Sequence, residues 1–202
     1  MGSKIIDSSG NELHGELVGD ANIVSDKLRG RVLALEPDGS MVCENDRAID
    51  ITGSVTLSLW LKTNASKARS WAEIIHKGGR SSFALFGLMV DSYIFFNCYG
   101  IHTDSTNFYA STSGTIDIYD GKWHNYTGTY DGYKISLYFD GELVNSCIAS
   151  GNISSNSEPV QIGGMNLKGL VDDVRIYSYA LSAEEVKILY EGKEPPREKR
   201  SD

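Results

Sequence analysis

The densest concentration of ring and hydrogen-bonding side chains is Tyr93-Ile-Phe-Phe-Asn97-Cys-Tyr99, followed by His102 and by Asn107-Phe-Tyr109. Such a stretch suits a sugar, because a pyranose presents C–H faces to an aromatic ring and hydroxyls to amides, carboxylates and imidazoles. On an extended chain Tyr93, Phe95, Asn97 and Tyr99 share one face, while Ile94, Phe96 and Cys98 take the other. Trp71 adds another ring in the polar stretch that begins at Ala65, where burial is not obviously required. The candidate carbohydrate-binding residues are therefore Trp71, Tyr93, Asn97, Tyr99, His102 and Tyr109. The competing explanation is that these rings plug the edge of the core or stack on a neighbouring module, since most exposed aromatics hold no ligand.

Marks of catalysis are missing. Glycoside hydrolysis needs two carboxylates facing one bond, and no E-x-D-x-x-E string occurs. Asp172 and Asp173 are adjacent, so in a strand they point to opposite faces. There is no G-x-S-x-G, no H-E-x-x-H and no phosphate-cradling glycine loop. The four histidines, His14, His76, His102 and His124, show no ligand spacing, and each reads as an ordinary surface or hydrogen-bonded histidine. No catalytic residue is assigned.

The elements that must carry these side chains are short strands. Val55 to Thr63 alternates with period two, Leu57, Leu59 and Leu61 against Thr56, Ser58 and Lys62. Lys134 to Gly141 repeats the pattern. Asp131-Gly132 and Asp140-Gly141 are hairpin turns. Further strands are expected at 31–35, 73–77, 82–90, 93–99, 115–118, 123–130, 142–146, 159–163 and 169–177. One helix is marked at 183–190: Ser182 and Glu185 form a capping box, with Leu181 and Val186 as a hydrophobic staple. Without helix–strand alternation, two packed antiparallel sheets are the expected solution.

Composition narrows the partners. The chain has 202 residues and a net charge of -8, with no clustered basic stripe, which argues against nucleic acid and anionic membranes. No apolar run reaches the roughly eighteen residues of a membrane span, so no membrane insertion is expected. Cys43, Cys98 and Cys147 lie far apart; three small buried hydrophobes, or one disulfide with an odd thiol, both fit. Sequons stand at Asn64, Asn125 and Asn152, and Asn125 falls inside an expected strand where a glycan fits poorly.

Four pieces in order carry a resemblance: Asp7-Ser-Ser-Gly-Asn11 with His14-Gly15; Trp60 within S-L-W-L-K; Asp120-Gly-Lys-Trp-His124 through Asp140-Gly-Glu-Leu143; and Gly169-Leu-Val-Asp-Asp-Val-Arg-Ile-Tyr177 with Ala180 to Val186. Together they resemble the laminin-G-like branch of the concanavalin A-like lectin/glucanase superfamily. The resemblance implies an all-β fold, an antiparallel jelly-roll β-sandwich with one short C-terminal helix. It also implies a structural calcium ion joining the first loop to the strand before the helix, for which the matching donors are Asp7, Asn11 and Asp172. Calcium takes six to eight oxygens, which loop carbonyls can complete; Asx-turns without an ion are the plainer explanation. Asp173 can then pair with Arg175, two residues on.

These readings lead to three regions: residues 1–3 as a cloning scar, 4–192 as the laminin-G-like domain, and 193–202 as a charged tail or linker. The expected function is a non-catalytic carbohydrate-binding module of a larger secreted or cell-surface protein, recognising a polysaccharide or other glycan beside a possible fused catalytic domain. The alternatives are a protein-interaction or adhesion module, and a polysaccharide lyase or glycoside hydrolase with unfamiliar catalytic residues.

Overall fold

The computed structural model describes residues 4–44, 47–64, 72–78, 85–89, 93–103, 109–111, 118–164 and 166–196, with backbone alone described for Glu73, 85–89, Tyr93 and 109–111. In chain order the strands are β1 (Lys4–Ile5), β2 (Gly15–Val18), β3 (Ala21–Asp26), β4 (Gly30–Leu35), β5 (Ser40–Cys43), β6 (Val55–Lys62), β7 (Ala72–Lys77) and β8 (Leu85–Met89). They continue as β9 (Tyr93–Asn97), β10 (His102–Thr103), β11 (Tyr109–Ser111), β12 (Trp123–Tyr130), β13 (Lys134–Phe139), β14 (Glu142–Ser150), β15 (Val160–Gly163) and β16 (Gly169–Tyr177). Helix α1 spans Ala183–Tyr190.

Two antiparallel sheets result. One runs β1-β2-β5-β15-β7-β8-β9-β11 and the other β10-β14-β13-β12-β6-β16-β4-β3. The all-β sandwich with one short C-terminal helix is as the alternation and turns predict. The expected strand at 115–118 falls mostly outside the described residues. Among the described residues no helix is long and apolar enough to cross a membrane.

Period-two patterning explains the core. Leu57, Leu59 and Leu61 of β6 and Ile135 and Leu137 of β13 bury their side chains against Ile94 and Phe96 of β9 and Ile162 of β15. The sheets are in close contact at Gly128 of β12, where a Cβ would lie 2.2 Å from Cγ of Phe96. Glycine there is a packing requirement, and Phe96 fills the space a side chain would take.

The other face of the second sheet is polar yet also covered. Thr127 Oγ1 donates to Ser58 Oγ at 2.9 Å, and Asn125 Nδ2 donates to the Leu59 carbonyl at 3.1 Å. Asn125, 1% exposed, is thus closed to glycosylation. Helix α1 packs beside this seam through Leu181, Val186 and Leu189 against Tyr138. Its start is the predicted capping box: Ser182 Oγ accepts from Glu185 N, and Ser182 N donates to the Glu185 carboxylate. None of the three cysteines is in a disulfide.

The chain does not become a loose tail at residue 193. Pro195 is buried, and Glu194 reaches back to Arg175 of β16. The packed domain therefore extends through the first residues of the expected linker. Charge alone marked that segment as solvent-exposed; its ion pair is what holds it down.

Candidate functional site

The two sheets part along β1, β2, β5 and β15 on one side and β3, β4 and β16 on the other, leaving a cleft of about 580 Å³. Its floor is apolar core, including Leu13, Leu33, Met41, Ile162 and Val171. Its rim is polar: Asp7 and Asn11 from the first loop, Arg31 from β4, Asp172, Asp173, Arg175 and Tyr177 from β16, and Glu194. Hollows of this volume in which polar groups converge over an apolar floor are a form of ligand site only as a class, and here polar and apolar groups share the lining about equally.

The geometry of β16 explains the rim. Its register against β6 slips between Asp172 and Arg175, and Asp173 takes a left-handed φ of 47°. This bulge breaks the alternation and re-aims neighbouring side chains. The sequence signal for it is the run Val-Asp-Asp-Val-Arg, where paired charges interrupt an apolar strand. Asp173 Oδ1 accepts from Arg175 Nε at 2.8 Å, the pairing expected from their spacing. Arg175 Nη1 also donates to the Glu194 carboxylate and, at 3.4 Å, to Tyr177 Oη. Burial opposes the Arg175 charge, but hydrogen bonds to Asp173, Tyr177 and Glu194 outweigh it and push its pKa up.

The first loop is a knot of Asx-type bonds. Asp7 accepts from Ser9 N at 2.9 Å, from Ser9 Oγ at 2.7 Å and from Leu13 N at 3.1 Å. Partial burial works against the Asp7 charge, but these hydrogen bonds hold its pKa below the ordinary value. Asp7 N donates to His14 Nδ1 at 3.1 Å, which places the neutral imidazole proton on Nε2. Asn11 N and Nδ2 both donate to Ser9 Oγ.

Asp7, Asn11 and Asp172, the oxygen donors considered for calcium, thus line one cleft. They do not make a calcium shell. Both Asp7 oxygens already accept hydrogen bonds, and the Asp172 carboxylate is held by Arg29 Nε at 2.6 Å. Among the described residues no three His, Cys, Asp or Glu converge to hold a metal ion.

The six residues considered for sugar stacking fare differently. Trp71 lies outside the described residues, and Tyr93 and Tyr109 are placed by backbone only. Alternation predicts an open face for Phe95 and Asn97, yet they are 3% and 5% exposed. Both faces of β9 are covered, so alternation along this strand yields no open face. The buried Asn97 is therefore not part of an open platform. Tyr99 is half-buried just past β9, while His102 is exposed on β10 in the other sheet. Asn97 and Tyr109 sit opposite each other in register.

A second aromatic group is already engaged. The Arg29 guanidinium sits 4.2 Å from the Trp60 ring centroid and 5.4 Å from that of Trp123. Trp60 also stacks on Tyr190 of α1 at 5.6 Å. Trp123 Nε1 donates to Asp26 Oδ1 at 3.2 Å, and Asp26 Oδ2 pairs with Lys62. These rings lock the β3–β4 turn, β6, β12 and α1 together. They are scaffold, which leaves the cleft as the candidate site.

Comparison with known proteins agrees with the architecture. The sequence profile of the concanavalin A-like lectin/glucanases superfamily matches residues 37–187. No curated protein sequence matches. Among solved structures, the receptor-binding domain of botulinum neurotoxin C/D mosaic serotype is similar at 22% identity and a TM-score of 0.72, over 93% of this chain and 48% of that one. The botulinum neurotoxin serotype D ligand-binding domain, solved with N-acetylneuraminic acid, shares 21% identity at a TM-score of 0.69, again over 93% and 48%. A structure of botulinum neurotoxin type C, whose cell entry depends on two ganglioside molecules, shares 16% identity at a TM-score of 0.73, with the same coverage. The chain thus spans about half the length of these solved chains.

Proposed function

Since the chain belongs to the concanavalin A-like lectin/glucanases superfamily, we propose that it is a non-catalytic carbohydrate-binding module that seats a glycan in the inter-sheet cleft. The observation that carries this reading is the cleft itself, about 580 Å³ with an apolar floor and a rim of carboxylate, guanidinium, amide and phenol groups. Sugar hydroxyls match those donors and acceptors, and the floor and the Tyr177 ring suit C–H faces. Sialic acid and gangliosides in the work on solved structures of this fold support a glycan as the ligand class.

The way the rim carboxylates are employed supports binding without turnover. Asp173 and Glu194 share Arg175, Asp172 is tied to Arg29, and Asp7 is held ionised by its hydrogen bonds. A glycosidase acid must stay protonated at working pH, with its pKa raised; Asp7 is shifted the opposite way. The module is assigned to a secreted or cell-surface protein, alongside a further domain that supplies avidity. Polysaccharides are the expected natural targets.

A broad glycan array followed by calorimetry tests the proposal. Binding to at least one glycan is expected, weakened roughly tenfold by Asn11→Ala, which removes a rim amide. A folded sample that stays silent across the panel would overturn it. Adhesion to a protein partner is the second reading, favoured by Tyr133 and Ile148, which are 79% and 65% exposed near the β13–β14 edge.

A further inference from the structure

We infer, building on the reading of the cleft as a glycan site, that it accepts uncharged sugars and turns away those carrying a carboxylate. The rim sets four carboxylates, Asp7, Asp172, Asp173 and Glu194, against two guanidiniums, Arg31 and Arg175. Arg29, which lies outside the lining, is committed to Asp172. With that pair neutral, three carboxylates stand against two guanidiniums, and an incoming anion meets an excess of one like charge.

Arg175 is the group suited to a sugar carboxylate, because a guanidinium fork matches that geometry. Its Nε and Nη1 donors are already engaged. Nε donates to Asp173 at 2.8 Å, and Nη1 donates to Glu194 and to Tyr177. Glu194 is a tethered anion seated where a ligand anion would go, and tethering gives it a high effective concentration. A sialylated glycan must displace it against the Asp173 charge beside it. Arg31 is exposed to water and screened. An uncharged glycan meets none of these obstacles.

Calorimetry on matched glycan pairs tests the inference, each pair differing only by a terminal N-acetylneuraminic acid, with salt held near physiological strength. The neutral member is expected to bind at least about tenfold more tightly than its sialylated partner. A double variant, Asp173→Asn with Glu194→Gln, frees Arg175 while keeping the shapes of both side chains. Asparagine tolerates the left-handed φ at position 173, and Glu194 has a side chain 72% exposed. In this variant the sialylated member should gain on the neutral one by roughly fivefold or more. Equal or tighter binding of sialylated glycans by the unmodified protein would overturn the inference while leaving glycan binding intact. An unchanged ratio in the double variant would overturn it as well. No binding to either member of any pair would remove the underlying glycan reading, and the inference with it.

Discussion

Asp26 and Asp120 each anchor a ring of the second sheet, and both do so as anions. For Asp26 the backbone N–H of Leu28 contributes most, with Lys62 and Trp123 adding to it, and its pKa falls from 3.8 to about 2. For Asp120 the Lys122 side chain contributes most, joined by Lys122 N and His124, with a similar fall to about 2. A folded-state pKa below the unfolded one means stability present above about pH 3.8 and lost as pH falls toward about 2. Thermal melts should therefore show Asp26→Asn and Asp120→Asn destabilised at pH 7, with the gap to the unmodified protein closing near pH 2. A gap that stayed constant with pH would refute this. The rim residues make a further prediction. With Asp7 accepting three hydrogen bonds and Asp172 paired to Arg29, adding calcium or a chelator should leave Tm unchanged within about a degree; under linkage a resident ion at saturating concentration would raise it by several. Asp7, Asn11 and Asp172 came together in the sequence only through the family resemblance, and they line one cleft. Their bonding was not legible, since Arg29 is distant in sequence and reaches Asp172 only through the fold.

Among the elements, the strands with clean alternation were readable. β6 and β13 place Leu57, Leu59, Leu61, Ile135 and Leu137 inward as period two requires, and α1 begins at the capping box its residues spell. Short strands such as β2 and β3 were not, because Ala21-Asn-Ile-Val-Ser-Asp26 has no sustained alternation and its pairing with β4 fixes it instead. The open face expected on β9 failed for a related reason. Periodicity states which side chains share a face, but the burial of that face is set by tertiary packing. Gly128 is the position where two elements depend on one missing side chain. Gly128→Ala drives a methyl into Phe96, and overpacking of this kind costs typically 1–3 kcal/mol. Urea unfolding should report that loss, with Phe96→Leu in the same chain recovering part of it. No loss in Gly128→Ala would show that the sheets are not in contact there.

At the scale of the molecule, the sandwich builds its cleft where the two sheets diverge, and the β16 bulge supplies the charged rim that strand alternation could not. The superfamily membership and the sheet architecture follow from the whole pattern of turns and strands. The cleft does not, because it is assembled from the first loop, β4, β16 and Glu194. The solved structures it resembles extend to about twice its length, so their ligands speak for the fold and not for this cleft. The most direct measurement is amide chemical-shift mapping by NMR, with the isotope-labelled protein titrated by a neutral glycan selected from the array. Glycan seating in the cleft predicts that the perturbed amides cluster at residues 5–15, 171–177 and 192–194. Perturbations confined to residues 93–103 and 109–111, with the cleft silent, would contradict it.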